Sequence, residues 1–202
     1  MSTPLEDIRR LLVHRDTTVV NALAVRALCG RAPDGFYSDS RCHKILPPAQ
    51  STAMAPFAET IIAGYINKVI PLLEPPVITH PTDSDTVLRA DSNALSALTV
   101  RLELSLQVAA CKLDGKNTAL HNAAANGDKA AVETLITYPS VEQLVLLRIR
   151  SRTADYIRTH NVPPALASRL PATLHSLYAT WLIPLSRAIQ AAWLIDAATK
   201  DC

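Results

Sequence analysis

Glycine and aromatic residues are both scarce in this chain. Only 5 of its 202 residues are glycine and 4% are aromatic, whereas average usage would give about 14 glycines. This scarcity disfavours Gly-rich phosphate-binding loops and glycine-punctuated β-sandwiches. Alanine and leucine carry much of the hydrophobic content, which favours helices over strands. The composition therefore predicts an all-α globular fold.

Neither sign of charge is in excess. The chain has 20 basic and 18 acidic residues, for a formal net charge of +2. A phosphate backbone selects clustered Lys and Arg, so we predict no nucleic-acid partner. With 49% hydrophobic and 19% charged residues, the chain can bury a core, and its length favours a single domain over residues 1–202.

Cysteine and histidine at metal-binding spacings are also missing. No two of the four cysteines (Cys29, Cys42, Cys111 and Cys202) are separated by two residues, which argues against a zinc ribbon or a redox pair. The six histidines show neither HxH nor HExxH spacing. We predict no metal and no cofactor. The even number of cysteines permits one or two disulfides, and the pairing stays open.

No targeting or membrane-spanning segment is predicted. The first four residues lack a basic region followed by an apolar run. The most apolar stretch, residues 177–195, carries Arg187 and Gln190. It is too short and too polar on one side to span a bilayer, so we expect no membrane partner.

Capping signals and apolar periodicity divide the chain into helices. Thr3-Pro4-Leu5-Glu6 is a capping box with proline at the first helical position, and it predicts a helix from Pro4 to Leu28. The other predicted elements are a loop at 30–51, a helix at 56–73, a loop at 74–91, a helix from 92 that can continue to 125, helices at 129–137 and 140–160, a short helix between 163 and 171, and a helix at 171–200 with a kink at Pro184.

Four segments in chain order resemble the signatures of the eukaryotic-type (AroQ-class), all-helical chorismate mutases. They are residues 5–20, 65–73, 140–142 and 181–190. Residues 29–33 and 191–202 are similar, more narrowly, to the secreted chorismate mutase effectors of smut fungi. The resemblance implies a chorismate-mutase-like bundle of long helices with two long loops, isomerisation of chorismate to prephenate, and a homodimer.

The resemblance assigns six positions to the pocket that holds chorismate. Four of these positions keep a suitable residue. Arg9 is the carboxylate-binding arginine, Glu142 is the glutamate that binds the substrate hydroxyl, Ser186 supplies a hydroxyl, and Gln190 supplies an amide. The family has an arginine and a lysine eleven residues apart, and they fall on Cys111 and Asn122 when the comparison is anchored on residues 113–115 and 119–120. Lys112 lies nearby, but a shift of one residue rotates a side chain by about 100°. We therefore predict a relic pocket in which turnover is absent or very weak.

Residues 114–136 also resemble one ankyrin repeat. A single repeat cannot bury its own apolar face, so a solenoid is excluded. Two interpretations stay open: a chance likeness of an Ala- and Leu-rich helix pair, or a contact helix for a partner. The partner-binding candidates in this segment and in the two loops are Thr118, His121, Asn126, Asp128, Tyr37 and Asp83.

Two functions follow from the resemblance. The first is a secreted fungal effector that is catalytically inactive and binds host plant proteins, such as kiwellin-like defence proteins. The alternative is an active chorismate mutase that diverts the host's salicylate precursor. A housekeeping enzyme of the shikimate pathway is disfavoured, because the regulatory insertion between the first two signatures is shortened. The paired substitutions Cys111→Arg and Asn122→Lys are expected to raise activity if the pocket is a relic.

Overall fold

A computed structural model describes residues 4–38, 53–74, 83–113 and 117–200 of the chain. Within these ranges every regular element is helical, which confirms the all-α prediction. The principal helices are α1 (Pro4–Leu28), α2 (Ala58–Gly64, continued by Tyr65–Val69 and Ile70–Leu73), α3 (Ser84–Leu113), α4 (Thr118–Ala125), α5 (Lys129–Ile136), α6 (Pro139–Thr159), α7 (Pro164–Leu177, continued by Tyr178–Leu182) and α8 (Ile183–Lys200).

Helix α3 is the central element of the bundle. Helix α1 packs along it, α8 packs against its second half, and α6 packs against both α1 and α7. By length and composition α3 could cross a membrane, but 56% of its most apolar window is buried inside the fold. It also carries the buried polar residues Asp91 and Arg101. These features identify α3 as the core helix of the bundle.

Helix α3 begins at Ser84, whereas the periodicity predicted Ser92. The Asp83 carboxylate accepts a hydrogen bond from the Thr86 backbone N–H at 3.1 Å and another from the Thr86 hydroxyl at 3.2 Å. It thereby satisfies a donor of the first helical turn. The predicted loop at 74–91 is therefore wrong from residue 84 onward. Residues 75–82, and residues 39–51 of the first predicted loop, lie outside the described part of the chain.

Helix α4 is separate from α3, so the continuation of one helix to Ala125 is wrong. Asn117 has φ −90° and ψ 84°, which are not helical values. Its side chain accepts a hydrogen bond from the Leu120 backbone N–H at 3.2 Å. Because asparagine competes for backbone donors in this way, it starts α4 and keeps the chain from continuing the helix before it.

Two helices widen into one π-helical turn at similar sequences. The two turns are Tyr65–Val69 and Tyr178–Leu182. Each begins with a tyrosine, ends with an aliphatic residue four positions later, and is followed directly by Ile-Pro. The backbone N–H of Ile70, and likewise of Ile183, donates to the tyrosine carbonyl five residues back. A proline has no N–H, and its ring crowds the carbonyl four residues back. The wider turn thus accommodates Pro184, where the sequence predicted a kink.

Pro171 lies inside α7, whereas the sequence predicted a helix boundary there. Four leucines on the same helix are buried: Leu166, Leu170, Leu174 and Leu177. Burying a leucine contributes about 1.5–3 kcal/mol, whereas a proline inside a helix costs about 3 kcal/mol. The packing of the leucine face therefore outweighs the lost hydrogen bond, and the helix persists.

The ankyrin-like segment forms α4, a turn and α5. Gly127 in the turn has φ +66°, a conformation that favours glycine. Asp128 then caps α5 by accepting a hydrogen bond from the Ala131 N–H at 3.0 Å. The apolar residues of the pair pack with α3 and α8 in a small second core, which contains Ala109, Leu120, Ala124, Val132, Ile136, Ala191 and Leu194. The bundle's own helices therefore cover the apolar face of this segment.

A buried polar cluster ties α1, α2 and α3 to the turn after α1. The Arg26 guanidinium donates to Asp91 at 2.5 Å, and it donates to the Tyr37 hydroxyl at 2.8 Å and to Glu74 at 3.1 Å. The hydroxyls of Tyr65 and Tyr37 donate to Asp91 at 2.7 and 2.8 Å. Burial disfavours the charge on Arg26, but Asp91 and the tyrosines outweigh burial, so the pKa of Arg26 lies above its ordinary value.

Candidate active site

A cavity of about 140 Å³ lies where α1, α3, α6 and α8 meet, beside the segment that joins α5 to α6. Apolar side chains such as Leu12, Val108 and Ile183 form part of its wall. Its charged lining residues are Arg9, Arg101, Lys112, Glu142 and Arg187. Four cations and one carboxylate thus surround the cavity, and this balance favours an anionic ligand.

Helix α3 supplies two of the cations. Arg101 and Lys112 are eleven residues apart, which is about three turns of an α-helix. They therefore lie on one face of α3, with Ser105 and Val108 between them on the same face. The length of α3 places its two cations at separate points of the cavity wall.

Arg101 is held by a buried carboxylate behind the cavity. Its Nε lies 3.4 Å from Asp16 Oδ1, and its Nη1 donates to the Ser186 hydroxyl at 3.2 Å. Asp16 also pairs with Arg148 at 3.3 Å and accepts a hydrogen bond from the Tyr178 hydroxyl at 3.3 Å. Burial and the adjacent Asp16 raise the pKa of Tyr178 well above its usual value. The phenol therefore stays protonated and keeps donating to Asp16.

Lys112 is held by the segment between α5 and α6. Its Nζ donates to the Ile136 carbonyl at 3.0 Å and lies 5.2 Å from the centroid of the Tyr138 ring. Burial, and to a smaller extent the positive charge of Arg9, lowers the pKa of Lys112 to about 8. At neutral pH the side chain is therefore an ammonium ion whose charge is incompletely compensated.

Ser186 and Gln190 lie one turn apart on α8 and face the same cavity. The Gln190 Nε2 donates to the Ser186 hydroxyl and to the Ser186 carbonyl, both at 3.2 Å. Gln190 Oε1 is buried and has no hydrogen-bond partner among the described residues. A buried amide oxygen without a partner is costly, so this end of the side chain is available for a ligand.

Glu142, at the start of α6, pairs across the cavity wall with Arg187 of α8. The Arg187 Nε lies 3.6 Å from Glu142 Oε1, and both side chains are partly exposed. Arg187 Nη1 also donates to the Thr137 hydroxyl at 3.4 Å. The lining carboxylate of this cavity is thus neutralised by a neighbouring guanidinium.

The structure brings four of the six predicted pocket residues together, namely Arg9, Glu142, Ser186 and Gln190. Cys111 and Asn122 do not line the cavity, so the structure does not bring them together with the other four. Cys111 is a half-buried thiol on α3, and Asn122 is exposed on α4.

Two cations of α3 lie ten residues before the positions predicted for the cation pair. Arg101 and Lys112 have the expected spacing of eleven residues and face the cavity. Residues 114–115 lie outside the described part of the chain, whereas the two cations lie within α3. The pair was visible in the sequence as Arg and Lys at this spacing within a predicted helix. Arg187, next to Ser186, was also missed.

The partner-binding candidates lie away from the cavity. Tyr37 belongs to the buried cluster around Asp91, while Asp83 and Asp128 cap α3 and α5. The other three candidates are exposed on α4 and at its end, and they are Thr118, His121 and Asn126. Their role in binding a partner stays a prediction.

Among the described residues, no three His, Cys, Asp or Glu side chains lie close enough together to hold a metal ion. The Cys29 thiol donates a hydrogen bond to the Val25 carbonyl at 3.4 Å. Cys42 and Cys202 lie outside the described residues, so the question of disulfide pairing stays as the sequence left it.

Comparison with known proteins finds two curated chorismate mutases, although no protein-family model matches the chain. Chloroplastic chorismate mutase 1 of Arabidopsis thaliana is 25% identical over 187 residues, which are 82% of this chain and 54% of that protein. Chloroplastic chorismate mutase 1 of Petunia hybrida is 24% identical over 200 residues, or 91% of this chain and 60% of that protein. The chain thus spans little more than half the length of the curated relatives it matches.

Solved structures share the architecture. The chorismate mutase Aro7p of Candida albicans, in complex with L-Trp, matches with a TM-score of 0.71 at 17% sequence identity. The match covers 98% of this chain and 95% of that one. A likeness at this identity shows the fold, so the chain has the all-helical chorismate mutase fold, as the sequence resemblance predicted.

Proposed function

We propose that this protein is a chorismate mutase, an isomerase that converts chorismate to prephenate. The observation that carries the proposal is the convergence of Arg101 and Lys112 with Arg9 in one cavity. Chorismate is a dianion, and a protein that binds it needs a cation for each carboxylate and a hydrogen-bond donor at its ether oxygen. The chorismate mutase fold and the two curated relatives support the same activity.

The reaction needs no covalent bond between protein and substrate. The carbon–oxygen bond of the ether breaks while a carbon–carbon bond forms within the same molecule, so all atoms and electrons stay in the substrate. Negative charge develops on the ether oxygen in the transition state. The protein therefore contributes by holding the two ends of the substrate together and by placing donors at that oxygen.

The cavity offers a group for each of these tasks. Arg9 and Arg101 suit the two carboxylates, since a guanidinium can donate two parallel hydrogen bonds to one carboxylate. The resemblance gives Glu142 to the ring hydroxyl and places Ser186 near a carboxylate. Asp16 holds Arg101 toward Ser186, so the guanidinium is oriented before the substrate arrives.

Lys112 suits the ether oxygen. The ammonium is held by the Ile136 carbonyl and lies over Tyr138, and neither of these groups carries a negative charge. A compact cation in a partly desolvated site stabilises a developing negative charge more than it would in water. With a pKa of about 8 the side chain is charged at neutral pH.

Gln190 can supply a second donor at the ether oxygen. A rotation of its terminal amide by 180° exchanges Oε1 and Nε2, which have nearly the same size. The Ser186 hydroxyl, which now accepts from Gln190 Nε2 and Arg101, would then donate to Oε1. The rotation gives the buried Oε1 a donor and turns the amide N–H groups toward the substrate, at the cost of the hydrogen bond from Nε2 to the Ser186 carbonyl.

The predicted inactivity loses its physical basis, because it depended on Cys111 and Asn122 occupying the cation positions. The predictions of secretion, of an effector role and of plant binding partners rest on the narrower resemblance to the smut effectors. They stay predictions, and an active enzyme is compatible with each of them.

A turnover assay tests the proposal. We expect the purified protein to consume chorismate and to form prephenate. Lys112→Met should lower kcat by about 100- to 1,000-fold, as the loss of one preorganised donor does in other enzymes. Cys111→Ala is the matched control next to it on α3, and Asn122→Ala is the control on α4; both should leave the rate unchanged. A wild-type protein without turnover would contradict the proposal.

The same assay distinguishes two assignments of the cation pair: Arg101 with Lys112, or positions 111 and 122. Introducing Cys111→Arg and Asn122→Lys together should bring no gain in activity, since neither position lines the cavity. If the double substitution raised activity strongly and Lys112→Met had no effect, the assignment of the cations to positions 111 and 122 would be correct.

A further inference from the structure

Arg187 is a cavity residue for which the proposed reaction has no use. It lies on α8 between Ser186 and Gln190, and its guanidinium reaches back toward the start of α6. Its Nε is 3.6 Å from Glu142 Oε1, and its Nη1 donates to the Thr137 hydroxyl. A side chain of this charge beside an anion site either binds the ligand or acts on a neighbouring group.

The charge of Glu142 favours the view that Arg187 acts on a neighbouring group and does not bind the ligand itself. It is the carboxylate among the lining residues, and a carboxylate beside a doubly negative ligand repels it. The ligand's hydroxyl needs the oxygen atom of Glu142 as an acceptor, but it does not need the negative charge. A guanidinium at 3.6 Å offsets part of the repulsion and leaves the second carboxylate oxygen for the ligand.

Thr137 keeps the guanidinium in this position. The Thr137 hydroxyl donates its own hydrogen to the Glu133 carbonyl at 2.6 Å, so toward Arg187 it acts as an acceptor. Arg187 is thus anchored at the end of α5, at the same short segment that holds Lys112 through Ile136. Ile136 and Tyr138, the chain neighbours of Thr137, line the cavity, so this anchor keeps Arg187 at the cavity wall beside Glu142.

We propose that Arg187 is a positioning residue that neutralises and orients Glu142, and that it thereby sets the affinity for a dicarboxylate ligand carrying a hydroxyl group. The inference rests on the proposed function, because it takes the ligand to be chorismate or its product. It adds a residue to the site that neither the sequence signatures nor the reaction chemistry assigns.

A double-mutant cycle tests the inference. The four proteins are the wild type, Arg187→Gln, Glu142→Gln and the double variant. KM and kcat are measured with chorismate, and the Kd of prephenate is measured by calorimetry as an equilibrium readout. Arg150→Gln, an exposed position of α6 that does not line the cavity, is the control for the change in net charge.

We expect Arg187→Gln to raise KM and the Kd of prephenate by about ten-fold, a factor that corresponds to about 1.4 kcal/mol. We expect kcat to change less, Arg187→Lys to keep most of the affinity, and Arg150→Gln to have no effect. In the Glu142→Gln background, loss of Arg187 should change the affinity little, since no carboxylate is left to neutralise. Prephenate binding by the double variant, with an affinity close to that of Glu142→Gln, also shows that the double variant is folded.

Two outcomes would overturn the inference while leaving the proposed function intact. An equal loss of affinity in both backgrounds would mean that Arg187 binds the ligand directly. An unchanged KM in Arg187→Gln would mean that the ion pair has no role in binding. A wild-type protein that neither consumes chorismate nor binds prephenate would overturn the proposed function, and this inference with it.

Discussion

At the scale of single residues, the surroundings of Lys112 set the pKa of its side chain. An exposed lysine has a pKa near 10.5, and burial together with the charge of Arg9 lowers that of Lys112 to about 8. The Ile136 carbonyl accepts one of its hydrogens, and the face of Tyr138 lies within reach of its charge. The charge therefore persists at neutral pH but is easily lost in mild base.

The pH dependence of the proposed reaction follows from this pKa. Lys112 is charged below its pKa, so kcat/KM of the free enzyme should fall as the pH rises through about 8. A bound dianion favours the charged form, and the decline of kcat should therefore begin at a higher pH than that of kcat/KM. A pH–rate profile from pH 6 to 10 would measure both.

Lys112→Arg is the control for this profile, because a guanidinium stays charged throughout the range. The variant should be slower, but its rate should no longer decline near pH 8. A decline that persists in Lys112→Arg would assign the titration to another group.

At the level of helices, α2 and α7 make a close contact at their π-helical turns. Gly64 directly precedes the turn Tyr65–Val69, and Trp181 lies in the turn Tyr178–Leu182. The indole packs so closely over Gly64 that a Cβ there would lie 2.5 Å from its Nε1 and 3.0 Å from its Cε2. Trp181 is 5% exposed and belongs to the main core, so it has little space to retreat.

Gly64→Ala should therefore destabilise the protein, although alanine is the better helix former. Overpacking of this kind costs about 1–3 kcal/mol, and the gain of helix propensity of about 1 kcal/mol offsets only part of it. Urea unfolding would measure the free energy of unfolding. Combining Gly64→Ala with Trp181→Phe should cost less than the sum of the two single changes. A single variant more stable than the parent would contradict the contact.

For the molecule as a whole, the cluster around Asp91 joins parts of the chain that are distant in sequence. Arg26 is fully buried on α1, Asp91 is fully buried on α3, and Tyr65 comes from α2. A buried cation needs its partner, because an unpaired charge in the interior costs several kcal/mol. The cluster thus stabilises one arrangement of the three helices and lies apart from the cavity.

Asp91→Asn keeps the shape of the side chain and removes its charge. We expect the free energy of unfolding to fall by about 3–5 kcal/mol, as it does when one member of a buried ion pair is removed. Activity per folded molecule should be unchanged, since neither Asp91 nor Arg26 lines the cavity. Asp155→Asn, in an exposed pair with Arg158, is the control and should cost less than about 1 kcal/mol. Equal losses in the two variants would refute the stabilising role of the cluster.

Much of the fold could be predicted from local signals. The bounds of α1 are those predicted from the sequence motif at residues 3–6 and from Gly30 after its last turn, and both signals lie within a few residues of the helix ends. Errors arose where tertiary packing outweighs a local signal, as at Pro171 inside α7. They also arose where a polar side chain caps the start of a helix, as Asp83 does for α3.

The sequence alone predicted that the protein is all-helical and, through the family resemblance of recognisable segments, that Arg9, Glu142, Ser186 and Gln190 share a pocket; the structure places these four residues at one cavity. Only the tertiary structure decided that Arg101 and Lys112, not Cys111 and Asn122, face the cavity. The reason is geometric. Which side of α3 faces the cavity depends on its packing against α1 and α8, and contacts such as Arg101 with Asp16 join residues far apart in the chain.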